Sequence, residues 1–120
     1  MPKRVLVVDD TQFMRKMLKD MLSTKYEVIG EAENGKEGVE MVKEHKPDLV
    51  TMDVIMPEMD GLEALSKIKE MDEDQKVIMV TSVGQNEKVT EAMKKGAEGY
   101  IIKPFDEDGV LEEIENVLGS

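Results

Sequence analysis

A chain of 120 residues carries enough material for one domain with its own core. It has no cysteine, which removes disulfides, thiolate metal sites and thiol nucleophiles. Its formal charge of −11, from 27 acidic and 16 basic side chains, argues against a nucleic-acid backbone or an anionic membrane surface as partner, because both are bound through Lys and Arg.

The N-terminal stretch MPKRVLVVDD offers a four-residue apolar run, Val5–Val8, and then two charges. A secretory leader needs roughly 7–15 apolar residues and a membrane span roughly 20, so a soluble, cytoplasmic protein is expected. Val5–Val8 read as a first strand. Phe13, Met14, Met17, Leu18, Met21 and Leu22 then recur at spacings of three and four, the apolar stripe of a helix. Val28–Ile29 begin a second strand. Asn34-Gly35 opens a second helix carrying Val39 and Val42, and Pro47-Asp48 follows its end. Leu49–Met52 are a third strand, and Asp60-Gly61 starts a helix with Leu62, Leu65 and Ile68 on one face. Val77–Val80 form a fourth strand. Val89, Ala92, Met93 and Gly96 line a fourth helix that Gly96 stops. Tyr100–Ile102 are a fifth strand, and Val110, Leu111, Ile114, Val117 and Leu118 stripe a last helix. The many methionines read as core filler. His45, near the end of the second helix, is expected on the surface.

The strand runs are mostly continuous rather than alternating, as in strands covered on both faces. Each crossover contains a helix, so the strands pair in parallel with helices on both sides of the sheet. The expected class is therefore α/β, a doubly wound five-stranded parallel sheet. Such sheets gather chemistry at the carboxyl edge of the strands. This sequence places there Asp9 and Asp10 after the first strand, Asp53 after the third, Thr81-Ser82 at the end of the fourth and Lys103-Pro104 at the end of the fifth.

Asp after a strand is also a common helix N-cap, and Thr81 is placed to cap the next helix. Three acidic residues and a lysine on three strand ends favour a site. Two carboxylates ~4 Å apart repel by roughly 4 kcal/mol at an effective dielectric of about 20. Three at close range require raised pKa values or a cation. Hard carboxylate oxygens without His or Cys suit magnesium. Carboxylate, magnesium, ammonium and hydroxyl together point to phosphoryl chemistry. Asp53, alone on a central strand, is the candidate nucleophile, and Asp9 and Asp10 the candidate metal pair.

The stretches VLVVDD, LVTMDVIMPEMDG, VIMVTS and GAEGYIIKPF, at these spacings, resemble the response-regulator receiver domain over essentially the whole chain, and most closely its stand-alone chemotaxis members. The resemblance implies a flavodoxin-like (βα)5 fold with strand order 2-1-3-4-5. It implies a single receiver domain over residues 1–120 with no output domain. It assigns Asp53 as phosphoacceptor, Asp9, Asp10, Asp53 and the Ile55 backbone carbonyl to Mg2+, Thr81 and Tyr100 to the switch, and Lys103 to the phosphoryl group. The Lys103-Pro104 bond is usually cis in such proteins.

The implied activity is not that of a turnover enzyme. The chain catalyses its own phosphorylation from a chemotaxis histidine kinase and its own slow dephosphorylation, with or without a phosphatase. Its output is a flagellar or archaellar motor switch, or a basic adaptor to one, and the chain is expected to be a monomer. The alternative is a single-domain phosphorelay intermediate.

Two features depart from the common pattern. Ile55 and Val83, two residues after Asp53 and Thr81, are apolar where polar side chains are frequent, so slow loss of phosphate is expected. Residues 106–118 hold Asp106, Glu107, Asp108, Glu112, Glu113 and Glu115 with no Lys or Arg, so a basic partner surface is expected despite Lys88, Lys94 and Lys95. An aspartyl-phosphate hydrolase of the haloacid dehalogenase class is disfavoured, because Asp53-Val54-Ile55 lacks a second Asp. A flavodoxin is disfavoured because Asp9-Asp10 would repel a flavin phosphate.

Overall fold

Short Val/Ile-rich runs separated by amphipathic helices leave parallel pairing as the way to satisfy the strand backbones, and the computed structural model, which describes residues 2–82 and 84–119, has that arrangement. Strands β1 (Arg4–Val8), β2 (Glu27–Ala32), β3 (Leu49–Asp53), β4 (Lys76–Ser82) and β5 (Gly99–Lys103) alternate with helices α1 (Gln12–Leu22), α2 (Gly35–His45), α3 (Gly61–Met71), α4 (Asn86–Lys94) and α5 (Glu107–Leu118). The sheet order is β2-β1-β3-β4-β5, every pair parallel. The fold class, the strand order and the parallel pairing all agree with the sequence reading.

The helix starts are chemically defined. Thr11, Asn34, Asp60 and Asp106 accept the backbone N–H three residues on, at the beginnings of α1, α2, α3 and α5. Each such cap contributes about 1 kcal/mol. The caps are therefore supplied by residues other than Asp9, Asp10 and Asp53. Thr81 lies inside β4, well before α4 begins, so it is not a cap either.

The two sheet faces carry separate cores. Leu6, Val8, Val50, Met52, Val77 and Met79 face α2, α3 and α4, meeting Val42, Leu62, Leu65, Ile68 and Ala92. Val5, Val7, Leu49 and Ile78 face α1 and α5, meeting Leu18, Leu22, Val110 and Ile114. β1 and β3 are buried along both faces, which is why their sequences run apolar without alternation.

β5 differs from that expectation. It is an edge strand, and Tyr100 and Ile102 on one face are exposed while Gly99 and Ile101 are buried. α4 covers that end of the sheet thinly, with Ala92 buried, Val89 half-buried and Met93 exposed. Phe13 also departs from its predicted stripe: α1 rests on Leu18 and Leu22, and Phe13 stands 72% exposed. His45 is half-buried rather than exposed, and its carbonyl accepts from Arg4 Nη1 at 2.9 Å.

Thr51 brings a hydroxyl into the middle of β3, fully buried and without a hydrogen-bond partner. An unpartnered buried hydroxyl costs about 1–3 kcal/mol. Thr51→Val is expected to stabilise the domain by about 1 kcal/mol in urea unfolding, and a loss of stability would contradict this description of the site.

Candidate functional site

Parallel register brings the polar residues together. Val8 of β1 pairs with Met52 of β3, so Asp9 and Asp53 emerge side by side. Asp53 is the last residue of β3 itself and pairs with Val80, one residue before Thr81. Thr81 pairs in turn with Ile102, one residue before Lys103. Asp9 extends the β1–β2 ladder by donating its N–H to Ala32 O at 3.0 Å.

Each charged group is then held differently. Asp9 is fully buried; its Oδ1 accepts from the Thr11 N–H and hydroxyl at 2.9 and 3.1 Å, and its Oδ2 from Lys103 Nζ at 3.3 Å. Lys103 Nζ also lies 3.5 Å from Asp53 Oδ1. Asp53 is 7% exposed, and Asp10 is exposed. Asp9, Asp10 and Asp53 each offer a carboxylate oxygen, and these atoms lie within 4.8 Å of one another.

The electrostatics follow from this crowding. Burial, and then the Asp9 charge, push the Asp53 carboxyl up from 3.8 to about 6; Lys103 opposes the rise and Asp10 adds to it. One ammonium does not offset three carboxylates. The cluster has surplus negative charge, hard oxygen donors and a mouth open at Asp10, which fits a magnesium ion that retains several waters. Within this geometry Lys103 and a bound cation would sit around any phosphoryl group brought to Asp53.

The remaining candidates are placed as follows. The Thr81 hydroxyl is buried, and its hydrogen bond runs to Ser82 O at 3.5 Å. The Ile55 side chain is 61% exposed beside the site, and no hydrogen bond among the described residues uses its carbonyl. Val83 lies outside the described residues. Tyr100 is exposed, so the structure does not bring it to the carboxylates. The Lys103–Pro104 peptide is cis.

Two supports escaped the sequence reading. The loop between β3 and α3 is pinned by Gly61 N–H to Val54 O at 2.7 Å and by Gly35 N–H to Met59 O at 3.0 Å. Arg15 reaches back from α1 to the Asp9 carbonyl at 2.8 Å. The Asp60-Gly61 and Asn34-Gly35 pairs announced helix starts, but not that Gly61 lies against the end of β3.

The response regulator receiver domain matches residues 5–115. The chain belongs to the response-regulator receiver family. It is 53% identical to the chemotaxis protein CheY of Halobacterium salinarum over 118 residues, covering 98% of each chain. It is 51% identical to CheY of Bacillus subtilis over 119 residues, covering 98% of this chain and 99% of that one. Its fold superposes on CheY in the crystal structure of the CheX–CheY–BeF3–Mg2+ complex from Borrelia burgdorferi, with a TM-score of 0.94 and 38% identity, over 98% of this chain and 90% of that one. This receiver is thus homologous to the CheY of chemotaxis signalling, and its acidic cluster is consistent with the Mg2+ binding of receiver domains. Among the described residues no helix is long and apolar enough to cross a membrane.

Proposed function

We propose that this receiver accepts a phosphoryl group on Asp53 from a chemotaxis histidine kinase and passes the signal by a change of surface. The observation that carries the reading is the buried Asp53 carboxylate, 3.5 Å from Lys103 Nζ and within a cluster of three acidic residues at the carboxyl edge of the sheet. An Asp53 oxygen attacks phosphorus in line; its bond to phosphorus forms as the bond to the donor imidazole nitrogen breaks, and the released imidazole takes up a proton. Lys103 neutralises charge on the phosphoryl oxygens. Asp9, Asp10, Asp53 and the Ile55 carbonyl would hold Mg2+, which when bound supplies the rest of that neutralisation. Thr81, buried one residue from the strand partner of Asp53, is the hydroxyl placed to follow the new group. Tyr100, exposed on β5, is the aromatic that would turn inward after it, a two-state shift driven by one local charge event. Incubation with acetyl phosphate tests this: label is expected with Mg2+ and lost with a chelator, and equal labelling with both would refute the metal's role.

The output surface is proposed to be the exposed strip around Tyr100 and Ile102, with α4 and α5 beside it. Asp106, Glu107, Asp108 and Glu112 are exposed there, whereas Glu113 accepts the Tyr100 N–H at 3.1 Å and Glu115 pairs with Lys25 at 3.2 Å. This negative field supports a motor switch or adaptor with a basic docking surface in a cytoplasmic motility system. Pulldown with the phosphorylated chain is the check, and capture by an acidic switch peptide would refute the charge argument.

The exposed Ile55 side chain shields the acyl phosphate but offers no atom to orient an attacking water. Intrinsic dephosphorylation is therefore expected to be slow unless a phosphatase supplies a polar group. A protein of the CheX kind, which the Borrelia relative binds, is a candidate partner here. Ile55→Asn is expected to speed phosphate loss severalfold, and an unchanged decay time would count against the shielding role.

A further inference from the structure

We propose that Arg15 is a positioning residue for the cation site, fixing the Asp9–Asp10 peptide so that the Asp10 carboxylate stands beside those of Asp9 and Asp53. The inference rests on the cation reading of that cluster. Asp10 is exposed, and among the described residues its carboxylate has no hydrogen bond or ion pair, unlike Asp9, which is gripped at both oxygens. Its backbone therefore decides where Asp10 points. Among the described residues the carbonyl of the Asp9–Asp10 peptide accepts from one group, Arg15 Nη1 at 2.8 Å.

Arg15 is itself held rigidly. Its side chain is 14% exposed, and Nε donates to Glu31 Oε1 at 3.1 Å. Glu31 stands on β2, and its second oxygen lies 3.6 Å from Lys19 Nζ. The guanidinium thus spans from the edge strand to the turn between β1 and α1. A planar fork can hold a carboxylate and a carbonyl along two directions at once; an ammonium on a flexible stem cannot do so with the same rigidity. Groups that orient metal ligands typically govern affinity by about 10–100-fold.

Charge and positioning predict opposite signs. Arg15 is a cation and by charge alone disfavours a second cation nearby. Its removal also leaves Glu31 less neutralised. Electrostatics alone therefore makes Arg15→Met bind Mg2+ more tightly, whereas loss of the brace makes it bind more weakly.

Calorimetric titration of Mg2+ into the unphosphorylated full chain separates the two, with thermal unfolding of the metal-free protein as the control for folding. Arg15→Met is expected to raise the Mg2+ Kd by about tenfold or more, and Arg15→Lys by less. Lys19→Met removes the other partner of Glu31 without touching the Asp9 carbonyl, and it is expected to stay within roughly twofold. Arg15→Lys keeps the charge and changes only the fork, and serves if Arg15→Met does not fold: charge alone leaves Kd unaltered, whereas a weakened brace raises it severalfold. An Arg15→Met protein, or failing that Arg15→Lys, that binds Mg2+ as tightly as the unaltered chain overturns the positioning role alone. If the unaltered chain takes up no Mg2+, the cation reading fails and this inference fails with it.

Discussion

Asp53→Asn is expected to make the metal-free domain more stable at pH 7, by on the order of 2 kcal/mol. The Asp53 carboxyl is raised to about 6 in the folded state from 3.8. Between those values the folded protein binds more protons at this site than the unfolded chain does. Stability therefore falls as pH rises through that window, and the full penalty is present above pH 6. Below pH 3.8 both states are protonated and the penalty vanishes. Asn keeps the shape and removes the charge, leaving Lys103 paired with Asp9 at 3.3 Å. The stability difference between variant and parent should thus shrink as pH falls from about 7 to about 4 in urea unfolding with a chelator present. Mg2+ should then stabilise the parent more than the variant, because a ligand stabilises the state that binds it. A difference independent of pH would mean that Asp53 carries no such penalty.

Gly61→Ala is expected to cost about 3 kcal/mol and to impair phosphoryl acceptance in whatever remains folded. A Cβ at Gly61 would lie 2.0 Å from the Asp53 carbonyl oxygen and 2.9 Å from its carbon. These are backbone atoms at the end of β3, so no side chain can move aside. The displaced atoms belong to the peptide that follows Asp53, and the Gly61 N–H to Val54 O bond at 2.7 Å would be lost or strained with it. Gly35 meets the same limit from the other side, where a Cβ would stand 2.4 Å from Met59 O. Denaturant unfolding and the rate of labelling by acetyl phosphate are the two measurements. A variant within about 0.5 kcal/mol of the parent would show that the loop yields easily, contrary to this packing.

β1, β3 and β4 were legible because burial on both faces writes continuous apolar runs. The sites were legible because a parallel sheet turns sequence position into spatial adjacency: Asp9, Asp10, Asp53, Thr81 and Lys103 needed only the strand order to meet. Coverage at the edge was not legible. The stripe of α4 and the apolar side chains of β5 read as core, yet Met93, Tyr100 and Ile102 are exposed, because periodicity reports a face and not what covers it. Phe13 failed for a related reason: it stands in the first turn of α1, whose packing begins further along at Leu18. Arg15 carried no readable signal. A basic residue on a helix face is ordinarily solvated, and only the register of β2 against β1 brings Glu31 and the Asp9 carbonyl to its two edges.

Chemical mapping of the phosphoryl group bears most directly on the central claim. After incubation with acetyl phosphate and Mg2+, borohydride reduction converts an acyl phosphate to the corresponding alcohol, and peptide mass spectrometry locates it. Asp53 is the residue predicted to be converted, with Asp9 and Asp10 untouched. Conversion at either of the paired aspartates, or at no carboxylate, would contradict the assignment of Asp53 as acceptor and of Asp9 and Asp10 as its cation-holding neighbours.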